Sequence, residues 1–275
     1  MSPFIVGLVL LAALLHASWN AMAKSGGSAQ YSIASYRLFS AVACLPLLFF
    51  FPLPLAESWP MLLASVLIHT AYYVTLAKSY RVGDLSQVYP LFRGLAPVLV
   101  LIGAALFAGE QVSVGSMLGI GLVSLGLISI TFSGGTLGRI NPIALRWGLA
   151  TSCLIAAYTV ADGIGVRAAG NPFSYIIWLF IFEPLPIGLW LLLCDRAGWF
   201  DYMKAKPVKI SAGALAAALA YAMVIYAMSV APMAMVSSLR ETSVIFAALI
   251  GSLIFHEAFG RQRIIAAVVV CLGVV

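Results

Sequence analysis

Charge is what this chain has least of. Only 9% of its 275 residues are Asp, Glu, Lys or Arg, while 63% are hydrophobic and the mean hydropathy is +1.07. A soluble domain devotes about a quarter of its residues to charge to cover its surface, so a water-exposed globule is excluded. Basic clusters are missing too. The net charge of +6 is spread singly between apolar runs, which excludes nucleic acid as a partner and suits residues that anchor membrane spans. The few histidines and cysteines show no metal-ligand spacing, so neither a metal nor another cofactor is implied. Cys44, Cys153, Cys194 and Cys271 lie in or at the ends of apolar runs and read as inert packing residues. The phosphate-cradling G-x-x-x-x-G-K-[ST] loop is absent, so ATP could drive this chain only through another subunit. The weak ten-residue alternation of a membrane β-barrel is absent as well. "HAS" at 16–18 loosely suggests a secretory cleavage site, but the basic start of a signal peptide is missing. The first residues therefore read as a span.

What the chain has in quantity is apolar runs of about twenty residues, each enough to cross ~30 Å of hydrocarbon as a helix. Charges, glycines and prolines divide it into ten candidate spans, at 3–23, 32–52, 59–80, 85–108, 112–133, 142–166, 173–194, 208–230, 232–256 and 261–275. The predicted fold class is an all-α integral membrane protein. Connections are short except "DRAGWFDYMKAKPVK" at 195–209.

The two halves resemble each other. "FRGLAPVLVLIGAALFAGE" and "LRETSVIFAALIGSLIFHE" pair Arg93 with Arg240 and Glu110 with Glu257 at an offset of 147. "LLHASWNA" and "IAAYTVADG" pair His16 with Tyr158 and Asn20 with Asp162 at 142; "TAYYV" and "LAYAM" match at 149. Weak internal similarity of this kind marks transporter repeats. Five spans per half is an odd number, which predicts two inverted five-helix repeats, 1–135 and 136–275, within a single membrane domain. Lys24, Lys78, Arg81, Arg139, Arg146, Arg196, Lys204, Lys206, Lys209, Arg261 and Arg263 then fall in loops on one face, and only Arg167 on the other. Positive residues mark the cytoplasmic side, so both termini are predicted outside.

Ten short-looped spans in two repeats, each repeat ending its fourth helix in a glutamate before a glycine-rich fifth, resemble the drug/metabolite transporter superfamily, in particular its EamA-type branch. The matching pieces are "LFAGEQVSVGSMLGIGLVSLGLI" and "IFHEAFGRQRIIAAVVVCLGVV". The resemblance covers essentially the whole chain. It implies a multi-pass transporter of the cell (inner) membrane with a small-molecule substrate, and it leaves the substrate open. The segment "YPLFRG" is not a general mark of the family and belongs to the particular task of this chain.

Ionisable residues deep in the spans are the candidate site. Arg93 lies eight residues into span four, ~12 Å below the surface at 1.5 Å per residue, and Arg240 lies equally deep in span nine from the opposite face. Each costs roughly 2.5–3.5 kcal/mol to insert. They could form an anion clamp, since guanidinium grips carboxylate or phosphate bidentately; alternatively they could pair internally with Glu183, Glu241 or Asp162. Glu241 is expected to face away from Arg240. Arg37, near its span end, is expected to snorkel. Pro90 and Pro97 free carbonyls beside Arg93, and Tyr89 shares its face. His16, Asn20 and Lys24 form a stripe, matched by Tyr158 with Asp162 and by His69 with Tyr73. Trp19 is a candidate cavity wall. Glu183 could carry a proton or act as a counter-ion, and Glu110 and Glu257 read as helix-end or gating contacts. The glycines of span five suit close packing within or between monomers.

These residues favour a secondary transporter working by alternating access on a small polar anionic or zwitterionic metabolite. Its partners would be the lipid bilayer and, as a candidate coupling ion, the proton, in a monomer or homodimer. One alternative is an exporter of cationic or neutral amines or drugs that uses Glu183. A membrane-embedded enzyme using His16 or His69 as a base is weaker, because neither histidine has an acidic neighbour at ligand spacing.

Overall fold

The structure is a computed structural model that describes residues 1–82, 85–131, 141–255, 268–269 and 273, and every regular element among them is helical. Five elements make up the first half. They are α1 (Pro3–Lys24), α2 (Ala29–Cys44), α3 (Trp59–Val82), α4 (Leu85–Ala108) and α5 (Val114–Thr131), with short 3-10 turns at Leu45–Phe49 and Ala56–Ser58. In the second half come α6 (Pro142–Ala168), α7 (Pro172–Phe182), α8 (Pro184–Cys194), α9 (Arg196–Ala205), α10 (Pro207–Val230), α11 (Met233–Arg240) and α12 (Ser243–Phe255).

The starts of these helices are written locally. Ser2 and Ser28 cap α1 and α2 through their hydroxyls, and Asn141 and Asn171 each accept a first-turn amide at 2.9 Å. Prolines follow at Pro3, Pro142 and Pro172, where a missing amide costs nothing. Gly27, Gly109 and Gly170 take positive φ just past the ends of α1, α4 and α6, the conformation that stops a helix at low steric cost.

Seven stretches are long and apolar enough to cross a membrane: Pro3–Ala23, Gln30–Phe49, Ala56–Leu76, Pro90–Ala108, Pro142–Ala168, Pro172–Cys194 and Pro207–Val230. They coincide with predicted spans one to four and six to eight. The other three expected spans differ. Span five contributes a shorter apolar stretch, Val114–Ser129; span nine is divided into α11 and α12; span ten falls largely outside the described residues. The expected loop at 195–209 contains α9, capped by Asp195, which accepts the Gly198 amide at 3.2 Å. Large apolar side chains such as Phe49, Phe50, Leu106, Phe107 and Leu193 are exposed, as a lipid-facing surface requires.

The core lies mainly between the halves: α1 packs on α10, and both α3 and α4 pack on α6. In span five, a Cβ on Gly119 would sit 2.4 Å from the Gly273 backbone oxygen, so this glycine serves packing within the chain. The cysteine reading needs correction. Cys44 is buried, but Cys153 and Cys194 are exposed on the outer surface, where a thiol faces lipid as easily as a methyl group. Cys271 lies outside the described residues.

Candidate functional site

Two helices are interrupted where charge is buried. Between α7 and α8 stands Glu183, followed by Pro184 and Pro186, which remove two amide donors from the first turn of α8. Between α11 and α12 stand Glu241 and Thr242. There the backbone tightens to three-residue bonds, with the amides of Glu241, Thr242, Val244 and Ile245 donating at 2.9–3.1 Å to carbonyls three residues back. The Thr242 hydroxyl also donates to the Leu239 carbonyl at 2.8 Å, competing with the continuing helix. By contrast α4 runs unbroken through Pro90 and Pro97. The break expected beside Arg93 in its own helix is found instead in the helix that faces it.

Arg93 reaches across to that break. Its Nε lies 2.8 Å from Glu241 Oε2, and its Nη2 donates to Ser243 Oγ at 3.2 Å. Arg93 is thus held by the opposite half, and Glu241, one of the three carboxylates expected as internal partners, is its counter-ion. Arg37 corrects the snorkelling expectation in the same way. Its Nη1 turns inward to donate to Glu183 Oε2 at 3.0 Å, leaving the side chain 13% exposed, because a partnered guanidinium is better placed than one stretched along lipid. The other Glu183 oxygen accepts the Tyr73 hydroxyl at 2.9 Å.

Arg240 is different. It is 3% exposed, and its Nε and Nη2 find no hydrogen-bond partner among the described residues. It lies within electrostatic reach of Glu241, Tyr221 and His16. Arg37 and Arg93 act on His16 as well, so α1, α2, α4 and α11 converge on one region.

A second group surrounds Asp162 on α6. Asp162 is fully buried and accepts the hydroxyls of Tyr175, at 3.0 Å, and Tyr221. Tyr175 can come this close because residue 165 is glycine: a Cβ there would meet its ring at 2.4 Å. The His69 ring stacks on Tyr158 at 4.0 Å and meets Tyr221 edge-on at 5.6 Å. His69 Nδ1 lies 2.9 Å from the Ser65 carbonyl oxygen. In α1, Asn20 is satisfied locally, donating to the His16 carbonyl at 2.7 Å, and Trp19 meets the His16 ring edge-on at 5.1 Å. The side chains of Lys24 and Tyr89, and all of Glu257, lie outside the described residues. Among the described residues no three metal-ligating side chains cluster.

Sequence reasoning missed two partners, Ser243 and Arg37. A buried glutamate in span seven and an arginine in span two were a signal that each needed the other, but 146 residues separate them. At one face of the bundle, Glu110 accepts the Met233 amide at 2.9 Å and pairs with Arg167, which also donates to the Met228 and Ala231 carbonyls at 2.9 and 2.8 Å.

A crystal structure resembles the chain with a TM-score of 0.78 over 100% of this chain and 96% of that one, at 13% identity; the likeness is one of fold. No curated protein matches. The model of the EamA-like transporter family matches twice, over residues 3–132 and 142–275. With both halves accounted for in this way, the chain belongs to the EamA-like transporter family, a family of multi-pass membrane transporters of small molecules.

Proposed function

We propose that the protein is a secondary transporter that carries a small polar anionic or zwitterionic metabolite across the cell (inner) membrane by alternating access. Ten spans form two inverted five-helix repeats, 1–135 and 136–275, with both termini outside. The observation that carries the substrate reading is Arg240. Two of the three deep arginines have carboxylate partners, whereas Arg240 is buried with two guanidinium nitrogens unmatched. A buried unpaired cation is costly, and a bound anion would offset that cost by charge-assisted hydrogen bonds. His16 lies within electrostatic reach of Arg240, and Tyr73 and Tyr158 adjoin through Arg37 and Tyr221, with Arg93 on α4 and Glu241 at the broken helix shaping the region.

The amine-exporter reading has less support, because Arg37 and Tyr73 already occupy both oxygens of Glu183. The test is thermal unfolding of the detergent-purified protein with small carboxylates and phosphates against organic amines. Ligand at 100 times Kd should add about 2.7 kcal/mol to the folded state. Stabilisation by anions that disappears in Arg240→Gln is the expected result. Stabilisation by amines alone, unchanged in Arg240→Gln and lost in Glu183→Gln, would overturn it.

A further inference from the structure

Among the described residues five charged side chains of the central helices are buried and Arg37 is 13% exposed; four of these six form two pairs, Arg37 with Glu183 and Arg93 with Glu241. The two left over have opposite signs. Arg240 has unmatched guanidinium nitrogens, and Asp162, fully buried, accepts the hydroxyls of Tyr175 and Tyr221 with Ser65 also bonded to it, lies within electrostatic reach of His69, and has no salt-bridge partner among the described residues. Tyr221 links them: its hydroxyl donates to Asp162, and Arg240 lies in its electrostatic surroundings. Around the Asp162 end stand aromatic rings. His69 stacks on Tyr158, and Tyr72 and Tyr221 lie edge-on to Tyr158 at 5.7 and 6.3 Å. Aromatic faces beside a carboxylate attract an ammonium group through both the ring quadrupole and the charge.

We infer that Asp162 and this aromatic wall form a second subsite, one that takes the cationic group of a zwitterionic substrate whose carboxylate meets Arg240. A lone anion would leave Asp162 facing hydroxyl groups and the His69 ring without a salt-bridge partner among the described residues, and a lone amine would leave the Arg240 nitrogens unmatched. A molecule carrying both groups neutralises the pair at once, and burying charge favours that outcome. The inference rests on the proposed anion site at Arg240 and adds the opposite pole to it.

The test is a thermal-shift titration of the full-length purified protein with α-, β- and γ-amino acids. Each is compared with its own deaminated acid and its own decarboxylated amine. At least one zwitterion should stabilise the wild type at about tenfold lower concentration than either analogue, the size expected of one charge-assisted contact. Asp162→Asn should remove that advantage while the response to the acid persists, and Arg240→Gln should remove the response to the acid. If Asp162→Asn does not fold, the wild-type ratio still decides. An acid that stabilises as well as its zwitterion, or the failure of every amino acid to stabilise, overturns the second subsite and leaves the Arg240 site standing. Stabilisation by amines alone that survives both Arg240→Gln and Asp162→Asn overturns both.

Discussion

An offset of 147 pairs Arg93 with Arg240 in the sequence, yet their surroundings give opposite expectations for the same substitution. Removing the Arg93 guanidinium strands Glu241, which is fully buried. Arg93→Gln should therefore destabilise the protein by roughly 3–5 kcal/mol, as loss of one partner of a buried ion pair does. Arg240→Gln removes a group without hydrogen-bond partners at two of its nitrogens, so unfolding should shift by no more than about 1 kcal/mol while substrate uptake into proteoliposomes is lost. Thermal unfolding beside uptake separates the two, and equal destabilisation would contradict the assignment. Arg37 and Glu183 extend the logic. Glu183→Gln alone should cost about as much as Arg93→Gln, whereas the double change Arg37→Met with Glu183→Leu should recover most of it, because no uncompensated charge remains. A double-mutant cycle on the melting transition measures that recovery.

At the scale of elements, what the sequence made legible was what local chemistry decides. Charges, prolines and glycines placed most helix ends within a few residues, and the serine and asparagine caps found there act with them. The division of span nine was not legible, since "SSLRETS" looks no more interrupted than "YPLFRGLAP", and the prolines pointed to the wrong helix. A proline within a helix can be absorbed by packing, whereas at Glu241 and Thr242 a hydroxyl bond and a cross-chain ion pair act together. Thr242→Ala removes the competing hydroxyl and raises helix propensity by a few tenths of a kcal/mol. It should leave the melting temperature unchanged or higher, and it should slow transport, if the break is the element that moves. Faster transport with a lower melting temperature would contradict that. Gly165→Ala tests a different element contact. Its Cβ displaces the Tyr175 ring from Asp162, and overpacking of this kind costs about 1–3 kcal/mol, read from thermal unfolding.

For the molecule as a whole, the sequence carried the repeat because its offsets of 142 to 149 recur. It did not carry the ties between halves, which depend on residues far apart in the chain. Two such ties stand out. Beyond α1, Lys206 donates to the Gly26 carbonyl and Lys209 Nζ to Ser25 Oγ at 2.7 Å. Beyond α6, the Leu55 amide donates to the Ala169 carbonyl at 3.2 Å, and Arg167 and Glu110 hold the start of α11. Each tie joins one half to the other. In alternating access the two cannot open together, and opening at least one is needed for turnover. Fixing the first tie should therefore stop transport without unfolding the site. In a background with all four cysteines replaced, Ser25→Cys and Lys209→Cys joined by a short cleavable bismaleimide should abolish uptake. Ligand-induced thermal stabilisation should persist, because the ionic residues of the site lie away from the cross-link, and cleavage should restore uptake. If uptake continued with the cross-link complete, the α1–α10 end would not be a moving interface, and the cycle would have to run through the tie at Arg167 and Glu110.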